Sequence, residues 1–504
     1  MEILLTTIYT LLFIFLIWKI KFFDCEGLSK KILAAILIVK LLFGIALYLV
    51  YTRYYTDRST ADIFKYFDDS KIIFDALLKK PTDYFRILLG IGNDNLYFET
   101  NYYHHMNSWH KAFDSTIYND SHTIIRLNSL IRIFSFGYFQ VHTVFMCFLS
   151  LIGLTGIYKT FYPFMKNKNK ELIFSVFLIP SVLFWCSGAL KESIAVFAVG
   201  VLIYNYFIIL KNGITLRSFL SGAFAFMILI YTKFYILLSI IPPLLALTWV
   251  LKSNTKKVGL KYFITTLFCA ALIINVKYIL PQYNFLEMLS LKQKDFIKVA
   301  NGGISLYDST YFIEIPAEKS NIVVPLGNNK YKIKQGNSYY RLNIKSDFKD
   351  TTFVENVHDT STYNLYSSSP RSGSILYIGK LEPDLISLVK NIPQGFINAL
   401  FRPHLLEAKS AVLLLAAMEN FFLVLLIILC ILYRDKSNGD LTLFWFCIYF
   451  VIIHSIIIGL VSPVMGAIVR YKATALPFLI IALFMIFDTQ KFYNFLKKKT
   501  KHEL

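Results

Sequence analysis

Residues 56–86 read TDRSTADIFKYFDDSKIIFDALLKKPTDYFR, the first polar stretch after two apolar runs at 3–20 and 32–52. Asp57, Asp62, Asp68, Asp69 and Asp75 stand directly behind a run long enough to cross a bilayer, which places acid groups at the membrane surface. Low dielectric there can tune carboxylates for proton chemistry, so the stretch reads as part of an enzyme site. Ile63, Phe64, Phe67, Ile72, Ile73, Phe74, Leu77 and Leu78 recur near helical spacing among the charges, as in an amphipathic helix lying on a membrane. Pro81 ends that helix, and an aromatic and histidine patch follows at His104, His105, Trp109 and His110.

Outward from this stretch the chain is apolar. Of 504 residues 56% are hydrophobic and 17% charged, and the mean hydropathy is +0.53, which suits a multi-span membrane protein. The net charge of +20 sits largely in short basic loops between apolar runs, a pattern of cytoplasmic anchoring rather than of nucleic-acid binding. Apolar runs near 3–20, 32–52, 138–162, 172–190, 193–210, 216–232, 234–251, 262–280, 409–433, 440–461 and 470–488 predict about eleven transmembrane helices. Pro242 and Pro243 are expected to break one of these runs.

The expected fold is an all-α polytopic membrane protein with two large extracytoplasmic segments. Residues 1–52 supply two N-terminal spans, 53–137 an outer segment of interfacial helices, and 138–280 a core of six spans. Residues 281–408 form a second outer segment, and 409–504 three spans and a basic tail. The N-terminus is expected outside, because Glu2 precedes the first run and Lys19 and Lys21 follow it. Alternating Ile, Tyr, Val and Phe over about 304–375, with a turn at Gly327-Asn328-Asn329, predict a small β-rich insertion. Leu376 to Leu400 then return toward the membrane as an amphipathic stretch expected to break at Pro383 and Pro393. Cys25, Cys147, Cys186, Cys269, Cys430 and Cys447 show no CxxC or Cys/His spacing, which points to neither disulfides nor structural zinc. The terminal KHEL lies on the cytosolic side by the same count and is read as coincidence.

With the first helix set aside, the order is one span, a large acidic outer loop, six spans with short loops, and a second large outer loop before further spans. This resembles the GT-C class of integral membrane glycosyltransferases, which use polyprenyl-phosphate-linked sugars. The stretches ADIFKYFDDSK (61–71), PSVLFWCSGALKES (180–193), LFRPHLLEA (400–408) and VRYKATALP (469–477) are similar to segments of bacterial envelope-polysaccharide membrane proteins. The extra first helix and the β-rich insertion depart from the simplest pattern of the class.

The resemblance implies an outer-face enzyme of the cytoplasmic membrane that moves a sugar from a polyprenyl carrier to a glycan, lipid or protein acceptor. Such transfer needs a carboxylate to deprotonate the acceptor and a cation or metal for the departing phosphate. Asp62 and Asp69, seven apart and so on one helix face, are the candidate bases, with Asp68 a further one; the plainer reading is a solvated face. Tyr66, in the same stretch, is a candidate substrate contact.

Lys191 and Glu192 stand between two apolar runs, where an ion is costly unless paired or functional. Lys191 is assigned to donor phosphate and Glu192 to catalysis or orientation; a capping pair is the plainer reading. Arg402, His404, Arg470 and Lys233 are further phosphate candidates, although Arg470 could snorkel and Arg402 could pair with Glu407.

His104, His105, His110, Asp114, Asp120 and His122 offer metal-ligating groups without a recognised spacing, so no ligand is assigned and a divalent metal stays open. There is no Walker A loop and no dinucleotide fingerprint. An oligosaccharide-repeat polymerase or ligase is the near alternative. A flippase for lipid-linked oligosaccharide is the more distant one, and would have to use His142 and His454 within spans.

Overall fold

The two leading apolar runs form α1 (Glu2–Lys19) and α2 (Lys30–Leu49), with Ser29 capping α2 by accepting from the Ile32 amide. The computed structural model describes residues 1–504 apart from 56–57, 59, 111–117, 254–256, 309, 344–350, 357–360, 436–440, 493 and 495–504. Asp57, Asp114, the basic tail from 495 and the KHEL terminus therefore lie outside the described residues.

The acidic stretch folds as α3 (Asp62–Lys79) and α4 (Pro81–Leu89), followed by α5 (Leu96–Asn101) and α6 (Ser121–Ser135). Pro81 separates the first two by opening α4, where its missing N–H removes no helical bond. α3 buries Ile63, Phe64, Tyr66, Phe67 and Ile73. α6 holds it from behind: the buried Arg132 guanidinium donates to Phe67 O at 2.6 Å and Ser70 Oγ at 2.8 Å.

The central helices are α7 (Phe139–Phe161), α8 (Asn169–Phe177), α9 (Pro180–Trp185), α10 (Lys191–Asn212), α11 (Leu216–Thr232), α12 (Phe234–Lys252) and α13 (Val258–Asn275). α7 and α10 touch backbone to backbone. A Cβ placed on Gly200 would lie 1.9 Å from Gly153 O, so only glycine permits this approach. α12 runs unbroken through Pro242 and Pro243, contrary to the expected break, as apolar spans tolerate prolines when neighbouring groups compensate.

α14 (Phe285–Asn301) leads into a seven-stranded antiparallel sheet. Its strands are β1 (Gly303–Tyr307), β2 (Tyr311–Pro316), β3 (Val323–Gly327), β4 (Lys330–Ile333), β5 (Asn337–Asn343), β6 (Thr351–Asn356) and β7 (Tyr363–Ser369). The order across the sheet is β3-β4-β7-β1-β2-β5-β6. Asn328 and Asn329 both take positive φ and make the tight β3–β4 turn. Leu306, Ile313, Ile315, Ile333, Tyr339 and Tyr363 form the core on one face.

The chain ends in α15 (Leu385–Phe401), α16 (Ala411–Leu432), α17 (Thr442–Val461), α18 (Met465–Lys472) and α19 (Leu476–Ile486). α15 continues through Pro393, where a break was expected.

Among the described residues, eight helices are long and apolar enough to cross a membrane, and α18 with α19 makes a ninth if that pair, bent by 62°, is one span. The eleven apolar runs therefore overstate the number of such helices. The run at 172–190 is split, because the amide-less Pro180 starts α9 afresh and the chain leaves the helix again before Lys191. The run at 216–232 yields a helix of 17 residues. The outward faces of α13 and α16, including Phe263, Leu267, Phe268, Leu415, Phe422 and Leu425, are exposed and apolar, as a multi-pass protein presents to lipid.

Candidate functional site

Five of the expected site residues meet where α3, α10, α12 and α18 begin or end. Asp62 is the first residue of α3, Lys191 and Glu192 open α10, Lys233 precedes α12, and Arg470 lies in the last turn of α18. Arg470 donates from its guanidinium to Asp62 Oδ2 at 2.8 Å. Its Nε stands 2.9 Å from Glu192 Oε1, and Lys233 Nζ donates to that same oxygen at 2.9 Å. Lys191 Nζ pairs with Asp120 Oδ1 at 2.8 Å, donates to Ser121 Oγ at 3.2 Å, and lies 5.0 Å above the Tyr66 ring.

The cluster is nearly sealed. The Glu192 side chain is 1% exposed and those of Lys191 and Lys233 about as deeply buried, whereas Asp62 is 38% exposed at the edge. Three carboxylates face three cations, which is how buried charge is made tolerable. Hydrogen bonding is nonetheless incomplete: Glu192 Oε2 and Arg470 Nε are buried and have no hydrogen-bond partner among the described residues. At Asp62, burial alone would raise the carboxyl. The guanidinium of Arg470 and the ammonium of Lys191 outweigh it and hold the group at about 2.

Tyrosines close the remaining sides. Lys233 Nζ lies 4.3 Å from the Tyr471 ring centre and 5.5 Å from that of Tyr235. Tyr235 packs against His454, whose Nε2 bonds Tyr471 O at 3.1 Å.

The other expected residues stand elsewhere. Asp69 is buried with its two oxygens on the Asn107 and Ser108 amides at 2.8 and 2.7 Å, so it ties α3 to the loop before α6. Burial pushes its carboxyl up to about 6, against the pull of those amides. Asp68 is exposed and paired with Arg58 through two hydrogen bonds. Neither belongs to the cluster, because seven residues of helix set Asp62 and Asp69 about 10 Å apart along the axis.

Arg402 pairs with Glu407 and donates to Asn398 Oδ1 at 3.2 Å, the plainer of its two readings. His404 is exposed, and its amide donates to Glu407 Oε2 at 2.9 Å. His142 sits between Asn128 Oδ1 at 2.7 Å and Ser135 Oγ at 2.8 Å, in a buried tie between α6 and α7. His122 stacks on Trp109 and bonds its carbonyl, while His110 pairs with Glu99. Among the described residues no three His, Cys, Asp or Glu side chains come together as a metal site.

Besides Arg132, sequence reasoning missed the buried Lys472 and Lys40. Lys472 Nζ donates to Asn420 Oδ1 at 2.5 Å, and Asn420 in turn donates to Pro403 O. Lys40, in the middle of α2, donates to Cys186 O at 2.9 Å. A lone lysine within an apolar run was the available signal for Lys40. A cavity of about 530 Å³ lies apart from the cluster, lined by Trp18, Phe23, Lys30 and Lys31 among others.

Compared with models of protein families, with curated proteins and with solved structures, the chain matches none.

Proposed function

We propose that this chain is a membrane glycosyltransferase of the GT-C kind, which transfers a sugar from a polyprenyl-phosphate-linked donor to a glycan, lipid or protein acceptor at the extracytoplasmic face of the cytoplasmic membrane. The observation that carries this reading is the meeting of Asp62, Lys191, Glu192, Lys233 and Arg470, drawn from distant parts of the chain, at helix ends that include those of the apolar α10 and α12. Acids able to take a proton stand beside cations able to hold a phosphate, as the chemistry requires.

In this reading the acceptor hydroxyl gives its proton to Asp62 as its oxygen bonds the anomeric carbon, and the bond from that carbon to phosphate oxygen breaks to leave polyprenyl phosphate. A carboxyl held near 2 by Arg470 is a weak base at rest. Donor phosphate that draws Arg470 away from Asp62 would raise its basicity at the moment of need. The unpartnered Glu192 Oε2 offers an acceptor for a substrate hydroxyl.

The test is turnover of undecaprenyl-phosphate-linked sugar by the protein in membranes. Asp62→Asn and Glu192→Gln should each abolish most turnover while the protein stays folded. Wild-type turnover in both variants would sink the proposal.

A second reading, a flippase for lipid-linked oligosaccharide, draws on the split of α8 and α9, the 62° bend between α18 and α19, and the buried Lys40 and Lys472. It predicts movement of a labelled lipid-linked glycan across proteoliposomes without cleavage of its phosphate bond.

A further inference from the structure

The sheet has a second face, and its register makes that face unusual. Lys330 pairs with Asn364, Asn364 with Tyr307, Tyr307 with Phe312, and Phe312 with Leu342. Side chains directly opposite in antiparallel strands share a face, so these five form one row running from β4 to β5, away from the Leu306 and Ile313 core. Beside that row Tyr340 is opposite Phe353, their rings 5.0 Å apart. Tyr366 adds its ring, 5.3 Å from Phe312 and 6.3 Å from Tyr307.

Aromatic residues favour strands, but propensity does not choose a face, and water should have selected against this choice. Tyr340 is 61% exposed, Phe353 51% and Tyr366 50%. Polar Asn364 and Ser305 interleave the rings, which differs from the continuous apolar surface that would enter a bilayer. Lys330 and Lys332 project on the same side of β4, and among the described residues neither has a carboxylate within 4 Å. The acids on this face are placed otherwise: Glu314 pairs with Lys298, and Glu355 lies on β6 at the far edge.

We propose that this face binds an acidic glycan chain, its sugar rings lying on Tyr307, Phe312, Tyr340, Phe353 and Tyr366 and its anionic groups meeting Lys330 and Lys332. The C–H faces of a pyranose carry slight positive charge and suit the negative face of an aromatic ring, while hydroxyls at the ring rim reach the amide and hydroxyl side chains between. The ammonium groups at one end give the surface a preference for negative charge and a direction. From β4 to β6 the sheet spans about 24 Å, room for several sugars in line. This binding face goes beyond the transfer reading and does not depend on it, since it can be measured without turnover.

The experiment uses the full chain in nanodiscs of zwitterionic lipid and measures binding of fluorescent polygalacturonate oligomers, with dextran as the neutral counterpart. Wild type should bind polygalacturonate in preference to dextran, and more weakly as salt rises. Tyr340→Ala and Tyr366→Ala should each weaken binding about tenfold, while Tyr366→Phe, which keeps the ring, should bind as wild type does. Lys330→Glu with Lys332→Glu should remove both the preference for acid and the salt dependence. The proposal is overturned if polygalacturonate binds no better than dextran, or if the alanine variants bind it like wild type. It is equally overturned if the alanine variants alter only self-association or only adsorption to phosphatidylglycerol vesicles, which would assign the face to a second copy or to lipid.

Discussion

The guanidinium of Arg470 reaches Asp62 Oδ2 at 2.8 Å across 408 residues of sequence, joining the first polar stretch of the chain to its last helical pair. Its Nε stands against Glu192 at the same time, so one planar group spans two carboxylates from different helices.

Arg470→Lys is therefore not conservative. A lysine lacks the planar fork that reaches both acids; Glu192 keeps Lys233, and Asp62 is left half-buried without its partner. We expect turnover to fall by about 10²–10³, the usual cost of losing a positioned charge, and unfolding to be eased by a smaller amount than in Arg470→Ala. Assay of both variants in membranes beside their detergent unfolding curves checks this. Full turnover in Arg470→Lys would remove Arg470 from the chemistry.

Asp69 gives a contrasting prediction, because its role is to receive two amides. Asp69→Asn turns an N–H donor toward another donor, and the clash should cost about 1–3 kcal/mol of stability with turnover otherwise intact. The pH dependence has a definite sign. The folded carboxyl, at about 6, lies above its ordinary 3.8, so the native state holds a proton that the unfolded chain has released between those values. Stability from this group is present below about 3.8 and is lost as pH rises through about 6. Unfolding curves at several pH values should show this component in wild type and not in Asp69→Asn.

Much of the cluster was legible because ionisable residues beside apolar runs are costly and so stand out, as at Lys191, Glu192, Lys233 and Arg470. Asp62 was legible by its place, just behind a span. The choice among Asp62, Asp68 and Asp69 was not, since helical periodicity gives a shared face but not what each turn meets along the axis. Asp120 as partner of Lys191 is a tertiary fact with no local signal. The sheet was visible in its alternation and its Asn328-Asn329 turn, but the aromatic face emerges only from strand order, which brings β7 beside β1. Span counting overran where hydropathy ignores backbone chemistry and length, at Pro180 and in the 17-residue helix Leu216–Thr232.

Gly200 tests how α10 is held. Its absent side chain lets α10 meet the α7 backbone, and a Cβ would strike Gly153 O, a backbone atom that cannot swing aside. Gly200→Ala should destabilise by about 1–3 kcal/mol and lower turnover, since α10 carries Lys191 and Glu192 at its start. Unfolding temperature and turnover measured on the same preparation would show the two effects together. Unchanged values for both would mean that the helices part without consequence.

Lys40 leads to the opposite expectation. It is fully buried in α2, bonds Cys186 O, and has no acid within ion-pair distance among the described residues. Ser150 Oγ also donates to Cys186 O, at 2.7 Å, so Lys40→Met leaves that carbonyl with a partner. The substitution removes a desolvated amine and keeps the volume, and stability should hold or rise. A residue that costs stability is retained for another reason, and position supplies one: Cys186 begins the non-helical link that hands the chain from α9 to Lys191 and Glu192. Lys40→Met should thus unfold no earlier than wild type yet turn over more slowly, and Lys40→Arg, which keeps a donor, should recover part of the rate. Early unfolding with normal turnover would reverse both halves of the argument and make Lys40 a purely structural tie.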